Sequence, residues 1–216
     1  MSLTARYRHY LMRKDYLRTA TLSFILFCLS ICSNYAAGAY ATAHASNYVQ
    51  DIVLSNIPAY NVDGLFVWGT FLLAGFVLLL CLAHPKQIPF VLYSLALFYF
   101  TRSVFVTLTH LGAYPDRVPI DEGALLDKLF GGADFFFSGH TGAPFLLSLV
   151  YWRVPALRYI FIGWAVFMAS VVLLGHMHYS IDVLAAFFIT YSIFSMTEWL
   201  FPKERALFHS DEPHIT

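Results

Sequence analysis

The chain predicts an all-α fold: a polytopic membrane protein built as a six-transmembrane-helix bundle. Of its 216 residues 59% are hydrophobic and only 12% are charged, about half the charge of an ordinary soluble domain. Apolar runs able to cross a bilayer core, at about 20 residues per helix, recur six times along the chain. Lys and Arg fall almost wholly on alternate connections between those runs. This composition excludes a disordered chain and an ordinary cytosolic domain. A net charge of zero excludes a nucleic-acid binder, which needs a basic face.

Residues 1–18 carry Arg6, Arg8, Arg13, Lys14 and Arg18 and read as a polar N-terminal segment. The first span covers 19–41. A basic start, an apolar run and small residues around 36–45 also resemble a cleavable signal peptide; the length of the basic region favours a retained span. The second span, 64–83, is free of charge. The connection before it, 42–63, has room for a short interfacial helix. The third span, 88–111, contains Arg102. The connection 112–134 carries Pro115, Pro119 and Gly131-Gly132. The fourth, fifth and sixth spans cover 135–152, 159–175 and 178–200, and the sixth contains Asp182. The catalytic membrane domain is thus 19–200, and 201–216 is a polar, frayed tail.

The basic residues orient the bundle. Lys86, Arg153, Arg158, Lys203 and Arg205 join the five N-terminal ones on one side, ten in all, against Arg117 and Lys128 on the other. The positive-inside rule then makes both termini cytoplasmic. Cys28, Cys32 and Cys81 lie in apolar stretches and read as small hydrophobes.

Charges inside spans cost roughly 2.5–3.5 kcal/mol at the bilayer centre, so Arg102 and Asp182 are the first functional candidates. Orientation adds His140, near the start of the fourth span, and His178, at the start of the sixth. At about 1.5 Å per residue all four groups fall within about 15 Å of the outer boundary. His178 and Asp182, four apart, share a helix face, so the carboxylate can hold one ring nitrogen and leave the other to attack. Around His140 runs Ser138-Gly139-His140-Thr141, with hydroxyls beside it and a glycine permitting close backbone approach. Two helix N-termini, those of the fourth and sixth spans, are expected to face one anion with Arg102. Two histidines, an acid and an arginine describe phosphoryl transfer, one histidine attacking phosphorus and the other protonating the leaving oxygen.

Ser138-Gly139-His140-Thr141, together with His178-Tyr179-Ser180-Ile181-Asp182-Val183, resembles the sphingomyelin synthase family, a branch of the type-2 phosphatidic acid phosphatase superfamily. Thr101-Arg102-Ser103-Val104 resembles that family's third-span arginine segment. Residues 132–141 resemble its Cys-Gly-Asp-x-x-x-Ser-Gly-His-Thr stretch, with Gly132 in place of the cysteine. The resemblance implies six spans and a site on the exoplasmic side. It implies His178 as nucleophile, Asp182 as its orienting partner and His140 as acid then base. Arg102, Ser138, Gly139, Thr141, Asp134 and Tyr179 become candidate substrate-binding residues. The implied reaction moves a phospho-alcohol head group from a phospholipid donor to ceramide, or a diacylglycerol-type lipid, through a phosphohistidine.

The wider superfamily's Lys-x6-Arg-Pro motif is absent, and Val172 stands six residues before His178. A single arginine suits a phosphodiester, with one negative charge, better than a monoester with about 1.5–2. Hydrolysis of a lipid phosphate or phosphodiester on the same site is the runner-up. Asp134 and Phe135, Phe136 and Phe137 are candidates to receive a choline or ethanolamine cation; they equally fit an interfacial belt. No metal or cofactor is expected, since His140, His176, His178 and Asp182 lack a closed zinc spacing. A zinc hydrolase, a haem protein and a non-catalytic lipid-binding protein are the remaining rivals.

Overall fold

The computed structural model describes residues 3–118 and 135–210. Among the described residues all regular structure is helical: α1 (Leu3–Leu11), α2 (Lys14–Ala43), α3 (Asp63–Ala83), α4 (Ile88–Leu108), α5 (Gly139–Val150), α6 (Pro155–Leu174), α7 (Ser180–Leu200) and α8 (Pro202–His209). Helix α2 packs along α4, α3 leans on α6, and α5 sits among α4, α6 and α7. Packing between apolar helices in lipid relies on close fit and small residues rather than on escape from water. Gly142 is such a contact: a Cβ there would lie 2.8 Å from the Phe98 ring and 2.9 Å from the Thr190 hydroxyl.

Among the described residues five stretches are long and apolar enough to cross a membrane: α2, α3, Pro85–Leu108, α6 and α7. The expected fourth span, 135–152, instead yields the 12-residue α5, about 18 Å long against a hydrocarbon core of about 30 Å. The helix starts late because Ser138 caps it and residues 135–138 enter the bundle without helical structure. Irregular backbone at such depth survives only when protein buries and bonds it. Here Phe135, Phe137 and Ser138 are buried, the Ser138 amide donates to the Asp182 carbonyl at 3.1 Å, and Arg102 Nε donates to the Phe137 carbonyl at 3.1 Å.

One end of the bundle gathers the N-terminus, the 84–87 turn, the end of α5 and the tail. Tyr16 donates to the Pro85 carbonyl at 2.7 Å, Tyr151 to Gln87 at 3.1 Å, and Arg205 to the Val150 carbonyl at 2.9 Å. The basic connections therefore share an end, as the alternation of charge implied. The tail is not frayed up to His209. Phe208 is buried against Phe90 and Tyr151 at ring separations of 5.8 and 5.2 Å, and the Arg205 guanidinium lies 4.9 Å from the Phe90 ring centre. At the other end, 44–62 and 109–118 form the cover. Ser46 donates to the His110 carbonyl at 2.9 Å and Gly112 to that of Asn47 at 3.1 Å. The short helix expected in the first of these is a single turn, Leu54–Asn56.

Candidate active site

Helix α7 starts where Tyr179 and Asp182 close a capping box. One Asp182 oxygen, Oδ2, accepts the Tyr179 amide at 3.0 Å and lies 3.3 Å from His178 Nδ1. Asp182 is fully buried and His178 almost so. The carboxylate thus fixes one ring nitrogen and leaves Nε2 as the other available atom. The bond from the Ser138 amide to the Asp182 carbonyl then ties the start of α5 to α7. This tie brings the His140 ring 6.5 Å from that of His178, centre to centre.

Ser138 and Thr141 build the turn that presents His140. The Ser138 hydroxyl accepts from the Thr141 amide at 3.3 Å and from its hydroxyl at 3.2 Å, and both residues are fully buried. The Ser138 oxygen thus caps the helix and is braced by the Thr141 hydroxyl, so these residues position the histidine. Gly139 allows the approach of Arg102: an added Cβ would stand 3.0 Å from Nε and 3.4 Å from Cζ. The guanidinium lies against the first turn of α5, where the helix dipole also favours an anion. Its Nη1 donates to Asn34 Oδ1 at 2.9 Å.

The sixth span was expected to offer a second helix N-terminus to the anion. Instead, carboxylates of the protein occupy the start of α7. Asp51 Oδ2 accepts the Ser180 amide at 2.7 Å and its hydroxyl at 2.8 Å, while Oδ1 accepts the Val53 and Leu54 amides at 2.8 and 3.1 Å. Burial raises the Asp51 pKa, but these hydrogen bonds outweigh it and hold the carboxyl below its ordinary value. Tyr179, a candidate substrate contact, is likewise an anchor for the cover. Its hydroxyl donates to the Gly112 carbonyl at 2.7 Å and accepts the Val49 amide at 3.3 Å. Asp134 lies outside the described residues.

A cavity of about 580 Å³ runs between α2 and α3 above α4 and α5. Asn34, Arg102, Gly139 and His140 line one end, and Cys81 and Ile88 the other. From Ile88 to Arg102 is about 21 Å along α4, and the walls between are apolar apart from Thr70 and Tyr99. A larger hollow of about 910 Å³ between α3 and α6 is lined by none of the candidate residues. In the smaller cavity charge and imidazole meet an apolar trough.

Sequence reasoning missed Asn34, Asp51, Asp63 and Phe66. Asn34 carried a signal, a carboxamide within an apolar span. Asp51 and Asp63 lie in or beside a polar connection, where an acid draws no notice. Asp63 is buried at the head of α3, one turn before Phe66, whose ring is 4.3 Å from that of His140. Among the described residues no three His, Cys, Asp or Glu side chains form a group able to hold a metal ion.

Among known families, PAP2 superfamily C-terminal matches residues 131–200, about a third of the chain, including both histidine motifs. The match supports the type-2 phosphatidic acid phosphatase superfamily and, in general terms, lipid phosphatase or phosphotransferase chemistry. Comparisons with curated proteins and with solved structures gave no match.

Proposed function

We propose that the chain is a membrane lipid phosphotransferase that moves a phospho-alcohol head group between lipids, as sphingomyelin or ceramide phosphoethanolamine synthases do. One observation carries this: a His–Asp pair faces a second histidine, His140, which lines the polar end of a long apolar cavity beside Arg102.

In the first half-reaction His178 Nε2 attacks phosphorus of a phospholipid donor. The bond from phosphorus to the diacylglycerol oxygen breaks, and protonated His140 gives that oxygen its proton. Asp182 stabilises the positive charge on His178. In the second half, neutral His140 takes the proton of an acceptor hydroxyl, from ceramide or a diacylglycerol-type lipid. That oxygen attacks phosphorus and the phosphorus–nitrogen bond breaks. Arg102 holds the single negative charge of the diester throughout. The apolar trough supports a lipid substrate, since it can receive a hydrocarbon chain while the phosphate remains at Arg102.

The proposal includes six crossings, the short α5 and residues 135–138 together making the fourth. It places both termini in the cytoplasm, on the ten-to-two distribution of basic residues, and the site on the exoplasmic side. A hydrolase is the second reading, favoured by Arg117. Its guanidinium lies 5.6 Å from the Phe135 ring centre, and that ring meets His178 at 6.1 Å. A second cation at the rim suits the greater charge of a phosphate monoester.

Incubation of the purified protein in vesicles with fluorescent ceramide and a set of phospholipids, and separately with phosphatidic acid, tests the choice. A fluorescent product carrying the donor's head group is expected. Inorganic phosphate from phosphatidic acid, with every phosphodiester intact, would establish the hydrolase instead.

A further inference from the structure

Among the described residues Asn34 is the one carboxamide lining the polar end of the trough. It lies in α2, on the opposite wall from α5, and is half-buried. Its Oδ1 is already taken by Arg102 Nη1 at 2.9 Å, which orients the amide so that its two N–H donors are what remain to offer. An amide in an apolar wall is costly unless a partner meets it, and that partner has to be an acceptor. Arg102 Nε donates to the Phe137 carbonyl, so the oxygens of Phe137 and Asn34 are among the groups that hold the guanidinium.

We propose that Asn34 is a second binding group for the lipid phosphate: its N–H donors take one non-bridging oxygen while its carbonyl oxygen holds Arg102 toward the other. The assignment rests on the phosphoryl-transfer reading of this site and adds to it a residue from α2. It also accounts for the neutrality of this group. A carboxylate at position 34 would hold Arg102 more tightly, yet it would present negative charge and acceptor oxygen, with no N–H donor, to an anion. A side chain that served only to steady Arg102 would gain from being acidic.

That contrast is the test. Wild type, Asn34→Asp and Asn34→Leu are prepared as full chains in vesicles. Each is measured for lipid turnover, for binding of orthovanadate as a phosphate mimic, and for thermal unfolding. Asn34→Asp is expected to unfold no earlier than wild type and to lose at least about a hundredfold in kcat/KM, the loss of charge-assisted hydrogen bonding at the anion. Vanadate binding should weaken by about tenfold or more. Asn34→Leu is expected to raise KM about tenfold with kcat within about threefold, and it carries the test alone should the Asp variant fail to fold. Wild-type turnover or vanadate affinity in either variant would overturn the proposal. If wild type binds vanadate but turns over no lipid, the transferase reading fails and the vanadate series alone decides on Asn34. No vanadate binding by wild type would remove the anion site itself.

Discussion

Gly139→Ala perturbs the proposed anion site through one methyl group. An ideal Cβ at this position stands 3.0 Å from Arg102 Nε, 3.3 Å from Cδ and 3.4 Å from Cζ, where comfortable contacts are about 3.5–4.0 Å. The guanidinium must retreat by roughly 0.5 Å. Its bonds to the Phe137 carbonyl and to Asn34, at 3.1 and 2.9 Å, then stretch to or beyond the useful limit of about 3.2 Å. Charged hydrogen bonds contribute about 1.5–3 kcal/mol each. Losing the equivalent of one at the phosphate raises KM by about 10- to 150-fold. Stability should change little, by about 1 kcal/mol or some 2–4 °C in a chain of this size, because an arginine side chain can yield. Gly142→Ala, one turn on, is the contrast. There the Cβ meets the Phe98 ring and Thr190 at 2.8 and 2.9 Å, in packed protein that cannot yield. About 1–3 kcal/mol of overpacking should appear as earlier unfolding. Initial rates against lipid concentration, with thermal unfolding in the same vesicles, separate the two. A wild-type KM in Gly139→Ala would refute the placement of Arg102 as the phosphate's cation.

His140→Ala and His178→Ala should abolish turnover, and Asp182→Asn should lower kcat by about 10²–10⁴-fold with folding retained; full activity in His178→Ala would mean that the nucleophile is another group. Asp51, with its carboxyl held below the ordinary range, stabilises the cover while ionised. That stability is complete above an unfolded carboxylate's pKa of about 3.9 and is lost as pH falls through the lower folded value. Asp51→Asn should flatten this acid limb in melting curves. The pKa of His209 is lowered to about 4 by burial, with Arg205, Arg153 and Lys86 adding repulsion. Its contribution is intact above about 6.5, declines as pH falls toward about 4, and is constant below. His209→Asn should remove that slope, and an unchanged slope would contradict the half-buried neutral ring.

Much of the fold could be read from the chain because lipid imposes a one-dimensional code of apolar length and flanking charge. The start of α3 at Asp63, of α4 at Ile88 and of α7 at Ser180 lie within two residues of the boundaries the apolar runs predict. The fourth span did not follow the code. Residues 135–138 are as apolar as a helix, yet their carbonyls and amides serve Arg102 and Asp182, and hydropathy carries no record of such bonds. The tail failed in the opposite sense, since a polar composition hid one phenylalanine with a slot to fill.

Sequence by itself determined that two histidines, an aspartate and an arginine lie in or beside apolar stretches. The i, i+4 spacing suggested that His178 and Asp182 share a helix face, whereas His178 stands just before the Tyr179 cap and meets Asp182 from outside α7. Only the tertiary structure decided which polar groups face the cavity and which are consumed by the backbone. Ser138, Thr141 and Tyr179 carry hydroxyls as suitable as any for a phosphate, but helix capping and the cover loops use them first. Asn34 was joined to Arg102 across 68 residues of chain, and Asp51 to Ser180 across 129. A hydrogen bond is satisfied by proximity in space, and in a helical bundle that proximity depends on how distant segments pack, which no local pattern encodes.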